Sequence, residues 1–211
     1  MTELFKKLES ELLEYLPLFF AEQSNNIAIK GEVFSLRIYF YDSHAPNFYF
    51  SIQVVSVTDR DQILKTKRPI DIPNYLFAPG ERAGFELKAI IPQNPEAKAQ
   101  TQLEKTCKAI QKLDVSEHEK MVLLRECLHR VCLNLNQNTY EFPVSYDFTI
   151  TPADGSSFFA DDAEVDIVRS VSLEKMYNLL ENGYISFRNI RYEIDSENSI
   201  IKWGNTWKVF R

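Results

Sequence analysis

A regular alternation of apolar and polar residues between Phe34 and Val57 constrains the fold more than any other feature of the sequence. Aromatic and β-branched residues at every second position are typical of β-strands that bury one face. A turn-like segment at 42–47 separates two such runs. The alternating apolar positions are Phe34, Leu36, Ile38, Phe40, Phe48, Phe50, Ile52 and Val54. We therefore predict a β-hairpin whose apolar face is covered by helices.

Helical spacing of apolar residues occurs in two further stretches. Residues 2–22 have the pattern of an amphipathic helix, which Pro17 is expected to break or kink because proline lacks the amide donor. Residues 96–136 contain two helical segments with a short connection, and Ser116 and Glu119 have the spacing of a capping box at the start of the second. We predict that these two segments form an antiparallel helical hairpin.

The last third of the chain mixes both kinds of pattern. Strand-like alternation returns at 144–151 and again within 184–211. Between them lies a short helical segment, with Ser172 placed to cap its start and Gly183 placed to end it. We therefore expect this part of the chain to contribute strands as well as a helix.

Groups of strands separated by helices indicate the α+β class. We predict an antiparallel sheet, or sheets, with helices packed on one side and the helical hairpin in the centre. A single domain over residues 1–211 is favoured, because a helical hairpin alone is too thin to form its own core. Residue 140 is the candidate boundary for a subdivision.

Charge and composition disfavour several function classes. The net charge is −6 and the isoelectric point is about 5.2, whereas nucleic acids and anionic membranes are bound by basic faces. No stretch approaches the roughly 18 apolar residues of a membrane-spanning helix. The odd number of cysteines, Cys107, Cys127 and Cys132, indicates free thiols in a reducing compartment. We expect a cytoplasmic protein that binds neither nucleic acid nor membranes.

Catalytic motifs are not recognisable in the sequence. There is no Gly-x-Ser-x-Gly elbow, and only three histidines are available as bases. His129 and Cys132, three residues apart on a helix, supply half of a metal site at most, with Cys107 as a further candidate ligand. Zinc needs three or four ligands. We therefore assign these residues to packing and predict no catalytic residue, no metal and no cofactor.

An acidic run is the most distinctive feature of the surface chemistry. Residues 143–168 carry six acidic residues and no Lys or Arg, and residues 143–211 carry eleven acids against seven bases, a charge of −4. A solvated loop is one explanation, and a docking surface for a basic partner is another. A calcium-binding loop would have the pattern Asp-x-Asp-x-Asp-Gly, which is absent from the sequence. A glycosidase needs two carboxylates at a defined distance, and the sequence does not determine any such distance.

Our leading hypothesis is a non-enzymatic cytoplasmic protein that binds a basic protein partner through this acidic surface. Small acidic immunity proteins, which neutralise toxins, share this general character, although no motif supports the analogy. An immunity-type or regulatory role would follow. The predicted partner-binding residues are Asp154, Asp161, Asp162, Glu164 and Asp166.

Two alternatives remain open. The first is an enzyme or small-ligand binder with a pocket between the 34–57 hairpin and the loop at 67–84. The second is a subunit of a larger assembly that uses a helix or the tyrosines on the outer face of the hairpin, Tyr39, Tyr41 and Tyr49. The oligomeric state does not follow from the sequence.

Overall fold

The computed structural model describes residues 2–24, 32–40, 50–77, 85–87, 98–154, 163–186, 192–195, 200–203 and 206–209. Its helices are α1 (Thr2–Ser24), α2 (Val57–Thr66), α3 (Ile72–Phe77), α4 (Lys98–Gln111), α5 (Glu117–Leu135), α6 (Ala163–Ser170) and α7 (Leu173–Glu181). Its strands are β1 (Val33–Phe40), β2 (Phe50–Ser56), β3 (Phe85–Leu87), β4 (Val144–Asp154), β5 (Tyr192–Asp195), β6 (Ile200–Trp203) and β7 (Thr206–Val209). The α+β class is confirmed.

The main sheet is mixed, which corrects the prediction of a purely antiparallel sheet. Its strand order is β3-β2-β1-β4, and β1 runs antiparallel to β2 but parallel to β4. A parallel pair needs a long crossover connection, and the chain between β2 and β4 supplies one that contains helices. Because β1 and β4 lie on opposite sides of residue 140 in the sequence, both parts of the chain share this sheet. Strands β5, β6 and β7 form a second, antiparallel sheet.

Phe34 departs from the predicted alternation. The register of β1 shifts between Val33 and Ser35, so Phe34 turns to the opposite side from Leu36 and joins a second core with Val55. All eight residues of β1 are buried. The sheet is therefore covered by helices on both faces, rather than on one face as predicted, since α1, α4 and α5 contribute to the first core and α2, α3, α6 and α7 line the second.

Helix α1 organises the first core. Its buried stripe of Phe5, Leu8, Leu12 and Leu16 faces the sheet and the central helices, and the helix continues through Pro17. Both helices of the predicted hairpin are present, and the Ser116 hydroxyl accepts the Glu119 amide, 3.2 Å away, at the start of α5. However, α1 packs against both α4 and α5, and direct antiparallel packing of α4 on α5 is not confirmed.

Asn136, just after α5, closes the free edge of β4. Its side-chain oxygen accepts the amide of Ile150 at 2.7 Å, and its nitrogen donates to the carbonyls of Ile150 at 2.8 Å and Ser170 at 2.7 Å. The amide group thus replaces a neighbouring strand at this position. Two residues further along the same edge, Pro152 has no N–H to offer another strand. Asn136 therefore joins the ends of α5 and α6 to the sheet.

Candidate functional site

Asp166 lies between α5 and α6 and is 4% exposed. Its Oδ1 accepts hydrogen bonds from Arg125 Nε at 2.7 Å and from His129 Nε2 at 2.6 Å. Burial lowers the pKa of His129, while the hydrogen bond to Asp166 opposes this effect. A neutral His129 donates from Nε2 to Asp166, and the charges of Arg125 and Asp166 cancel. The group as a whole therefore has no net charge, which suits a buried position.

This arrangement corrects the placement of Asp166, because the carboxylate faces inward and is absent from any exposed acidic surface. A carboxylate that orients an imidazole also occurs in acid–base catalysis, where the second ring nitrogen must reach a substrate. In the described part of the chain, His129 Nδ1 is buried and has no hydrogen-bond partner. The group of Arg125, His129 and Asp166 is therefore suited to joining α5 to α6.

Of the other four predicted partner-binding residues, the structure describes the side chain of Glu164. Glu164 is half-buried, and its Oε1 accepts the backbone amide of Ser186 at 2.8 Å and the Ser186 hydroxyl at 3.3 Å. Asp154 ends β4, and its side chain lies outside the description. Asp161 and Asp162 lie outside the described residues, as do Tyr41, Tyr49, Phe48 and the predicted turn at 42–47.

Asp147, another member of the acidic run, is also buried, at 8% exposure. Its Oδ2 accepts the side-chain amide of Asn182 at 3.2 Å. Burial raises the pKa of the nearby Tyr184, with Arg60 opposing this rise and Asp147 adding to it. Two aspartates of the acidic run, Asp147 on β4 and Asp166 on α6, are therefore buried in the protein.

Helix α7 supplies exposed acidic residues. Ser172 caps its start by accepting the amide of Lys175, and Gly183, with φ of 71°, follows its end, as predicted. Met176 and Leu179 bury one side of the helix. The opposite side exposes residues at helical spacing, where each is a surface neighbour of the next: Glu174, Tyr177 and Glu181.

Tyr146 stands next to this side of α7. It is 79% exposed, although it belongs to a strand. Lys175 Nζ donates to its carbonyl at 2.9 Å, and Asn178 Nδ2 lies 3.5 Å from its hydroxyl. We call the surface formed by Tyr146, Glu174, Tyr177 and Glu181 the α7–Tyr146 face.

The predicted pocket beside the hairpin is filled where the structure describes it. Helix α3 covers this side of the sheet, where Arg37 Nη2 donates to the carbonyl of Tyr75 at 2.9 Å and the ring of Phe34 lies 5.8 Å from that of Phe77. Burial lowers the pKa of Arg37 to about 10, so the guanidinium stays charged at neutral pH. Tyr39 is buried too, and its hydroxyl donates to Gln53. A filled interface disfavours both a ligand pocket here and the stacking of Tyr39 against a partner.

The cysteines are unsuited to catalysis in their present positions. Cys107, Cys127 and Cys132 are free and buried, and burial raises the pKa of each thiol. A thiol that stays protonated is a poor nucleophile and a poor metal ligand. Within the described residues, no group of three or more His, Cys, Asp or Glu is placed to hold a metal ion. In the same part of the chain, no helix combines the length and apolar character needed to cross a membrane.

Sequence reasoning missed the α7–Tyr146 face because it followed the density of charge along the chain. The signal that was available is the helical spacing of Glu174, Tyr177 and Glu181 on the side opposite Met176. Tyr146 had no such signal, since it occupies an alternating strand position. Comparisons with protein-family models, curated proteins and solved structures found no match.

Proposed function

We propose that this protein is a non-enzymatic, cytoplasmic binding protein that engages a basic protein partner through the α7–Tyr146 face. The observation that carries the proposal is the combination of two exposed tyrosines, Tyr146 and Tyr177, with two exposed carboxylates, Glu174 and Glu181. Tyrosine is enriched where proteins bind one another, because its ring buries a large area while its hydroxyl tolerates water. A regulatory or immunity-type protein acts in this way, by occupying a surface of its partner.

The charge distribution supports a basic partner. Residues 143–211 hold −4 of the net −6. Asp166 is already neutralised by Arg125, so it adds little to the field outside the protein. The exposed Glu174 and Glu181 would attract a positive surface, and Asp154, Asp161 and Asp162 remain proposed partner-binding residues on the strength of the acidic sequence alone. Complementary potentials raise the rate of encounter and select against acidic competitors.

A non-enzymatic role is supported by the burial of groups that could otherwise react. His129 is held against Asp166, and the three thiols are enclosed in the first core. The interface between the hairpin and α3 is filled by Phe34, Phe77 and Arg37. A cytoplasmic location is supported by the three unpaired cysteines, which an oxidising compartment would tend to pair.

The test compares two charge-reversal variants with the wild type. Glu174→Lys with Glu181→Lys reverses the α7–Tyr146 face. Glu14→Lys with Glu141→Lys makes the same change of net charge at exposed positions on α1 and before β4. Each protein is immobilised and used to capture proteins from a lysate of the source cell, at low and at high salt.

We expect basic proteins that bind the wild type and the control variant, are lost with the α7 variant, and are released by high salt. Equal capture by all three proteins would contradict the proposal. So would capture that is insensitive to salt, because contact between exposed charges is screened by ions. Thermal melting of both variants establishes that the fold is retained.

A further inference from the structure

We propose that Tyr146 is the anchor of the α7–Tyr146 face and that it receives an arginine side chain of the partner across its ring. The proposal rests on the proposed function and deepens it by naming the residue type that the partner presents. It is carried by the exposure of Tyr146 and its contacts, and the carboxylates of α7 are the reason for choosing arginine.

Tyr146 lies where the register between β1 and β4 is irregular. The pairing of β1 with β4 passes from Val33 opposite Val144 to Ser35 opposite Thr149, so β4 has extra residues at this point. Such an interruption of the ladder leaves residues without a regular strand partner and can redirect their side chains. Its neighbours on both sides in the sequence are buried at 9% and 8% exposure, whereas Tyr146 is 79% exposed.

Contacts with α7 hold Tyr146 in place. Lys175 donates to its backbone carbonyl, and Asn178 approaches its hydroxyl. An exposed side chain that is already positioned loses less conformational entropy when a partner covers it. These two contacts favour Tyr146 as the anchor of the face.

Arginine suits this surface better than other partner groups. The face of an aromatic ring attracts a cation, and a planar guanidinium can stack on the ring while pairing with a carboxylate such as Glu174 or Glu181. The protein uses the same contact internally, since the Arg60 guanidinium lies 5.4 Å from the Phe34 ring centre and 5.8 Å from that of Tyr184. A second copy of the chain would oppose like charges at this face.

The experiment measures binding of a fluorescent peptide of alternating arginine and glycine to the full chain by anisotropy at low salt. A peptide with glutamine in place of arginine is the matched probe. We expect the wild type to bind only the arginine peptide. Tyr146→Ala should weaken binding by about fivefold, whereas Tyr146→Phe, which keeps the ring, should stay within about twofold. Leu18→Ala removes another exposed apolar side chain, 62% exposed on α1, and should change nothing.

Several outcomes would overturn the proposal. These are wild-type binding that does not depend on arginine, absence of binding, or a Tyr146→Ala variant that binds like the wild type. If Glu174→Gln with Glu181→Gln weakens binding while Tyr146→Ala does not, the anchor is wrong and the charge-based proposed function stands. In another outcome, Tyr146→Ala weakens peptide binding, but the charge-reversal variant of α7 captures the same proteins from the lysate as the wild type. The anchor then stands and the proposed function fails.

Discussion

Asp166 and Glu174 lie on consecutive helices of the same acidic region, yet they face different surroundings. Asp166 is enclosed between α5 and α6, with Arg125 and His129 bonded to one of its oxygens. Glu174 is exposed near the start of α7. A run of acidic residues in a sequence does not separate these situations. The comparison shows that burial decides whether a carboxylate holds helices together or remains available to a partner.

The largest expected effect is on the buried side of this comparison. Asp166→Asn keeps the shape of the side chain but removes the negative charge that faces the buried Arg125 guanidinium. We expect the free energy of unfolding to fall by about 3–5 kcal/mol, compared with less than about 0.5 kcal/mol for Glu174→Gln. Urea unfolding of both variants measures the difference. Similar losses for the two variants would show that Asp166 is not the structural residue described above.

A smaller effect is expected at Asn136, which connects the same buried region to the edge of β4. Asn136→Ala removes three hydrogen bonds and leaves backbone groups of Ile150 and Ser170 without these partners. We expect a loss of about 2 kcal/mol in the free energy of unfolding.

The matched control is Asn134→Ala, two residues earlier and exposed on α5. Asn134 donates only to the carbonyl of Arg130 within its own helix, and alanine is a better helix former. We expect this variant to be neutral or slightly stabilising in the same unfolding experiment. A loss equal to that of Asn136→Ala would contradict the role of Asn136 as a substitute for a strand.

Local patterns predicted much of the fold. The alternation in β1 and β2, the cap at Ser116 and the end of α7 at Gly183 all depend on neighbours within a few residues. The displacement of Phe34 and the parallel pairing of β4 with β1 depend on residues more than a hundred positions apart. No local pattern encodes such pairings, which explains why the mixed sheet and its two covered faces were not predicted.

The candidate site was predicted less well for a related reason. Charge density along the chain drew attention to the last third, but it could not show that Arg125 from α5 neutralises Asp166. It also could not show that Tyr146, at an irregularity in the β1–β4 register, would be exposed. Both facts arise from tertiary contacts, with Arg125 41 residues away from Asp166 in sequence.

His129 makes the stability of the buried group depend on pH. Burial lowers the pKa of His129 below its ordinary value of 6.5, with Arg169 and Arg125 adding to this and Asp166 opposing it. The unfolded chain therefore binds the proton more tightly than the folded one. This contribution to stability is fully present above pH 6.5 and is lost as the pH falls through the lowered pKa.

We expect the free energy of unfolding of the wild type to decrease as the pH falls below about 6.5, before most carboxylates titrate. His129→Gln cannot take up the proton, and its amide can still donate to Asp166. The variant should therefore show a flatter dependence over this range, even if it is less stable at neutral pH. Parallel pH profiles for the two proteins would show that another group is responsible.

The smallest effects are expected on α7, where the two glutamates occupy opposite ends of one helix. Glu174 lies in the first turn, where the positive end of the helix dipole favours an acid, whereas Glu181 is the last residue, where the dipole disfavours it. Glu174→Gln should therefore destabilise the protein by about 0.3 kcal/mol and Glu181→Gln should stabilise it by a similar amount. The double variant should melt like the wild type, and high salt should remove both single effects. A loss of more than about 1 kcal/mol for Glu181→Gln would mean that Glu181 has a structural partner. Stabilisation would instead identify Glu181 as a carboxylate that costs stability at its position, which is the behaviour expected of a residue placed for binding.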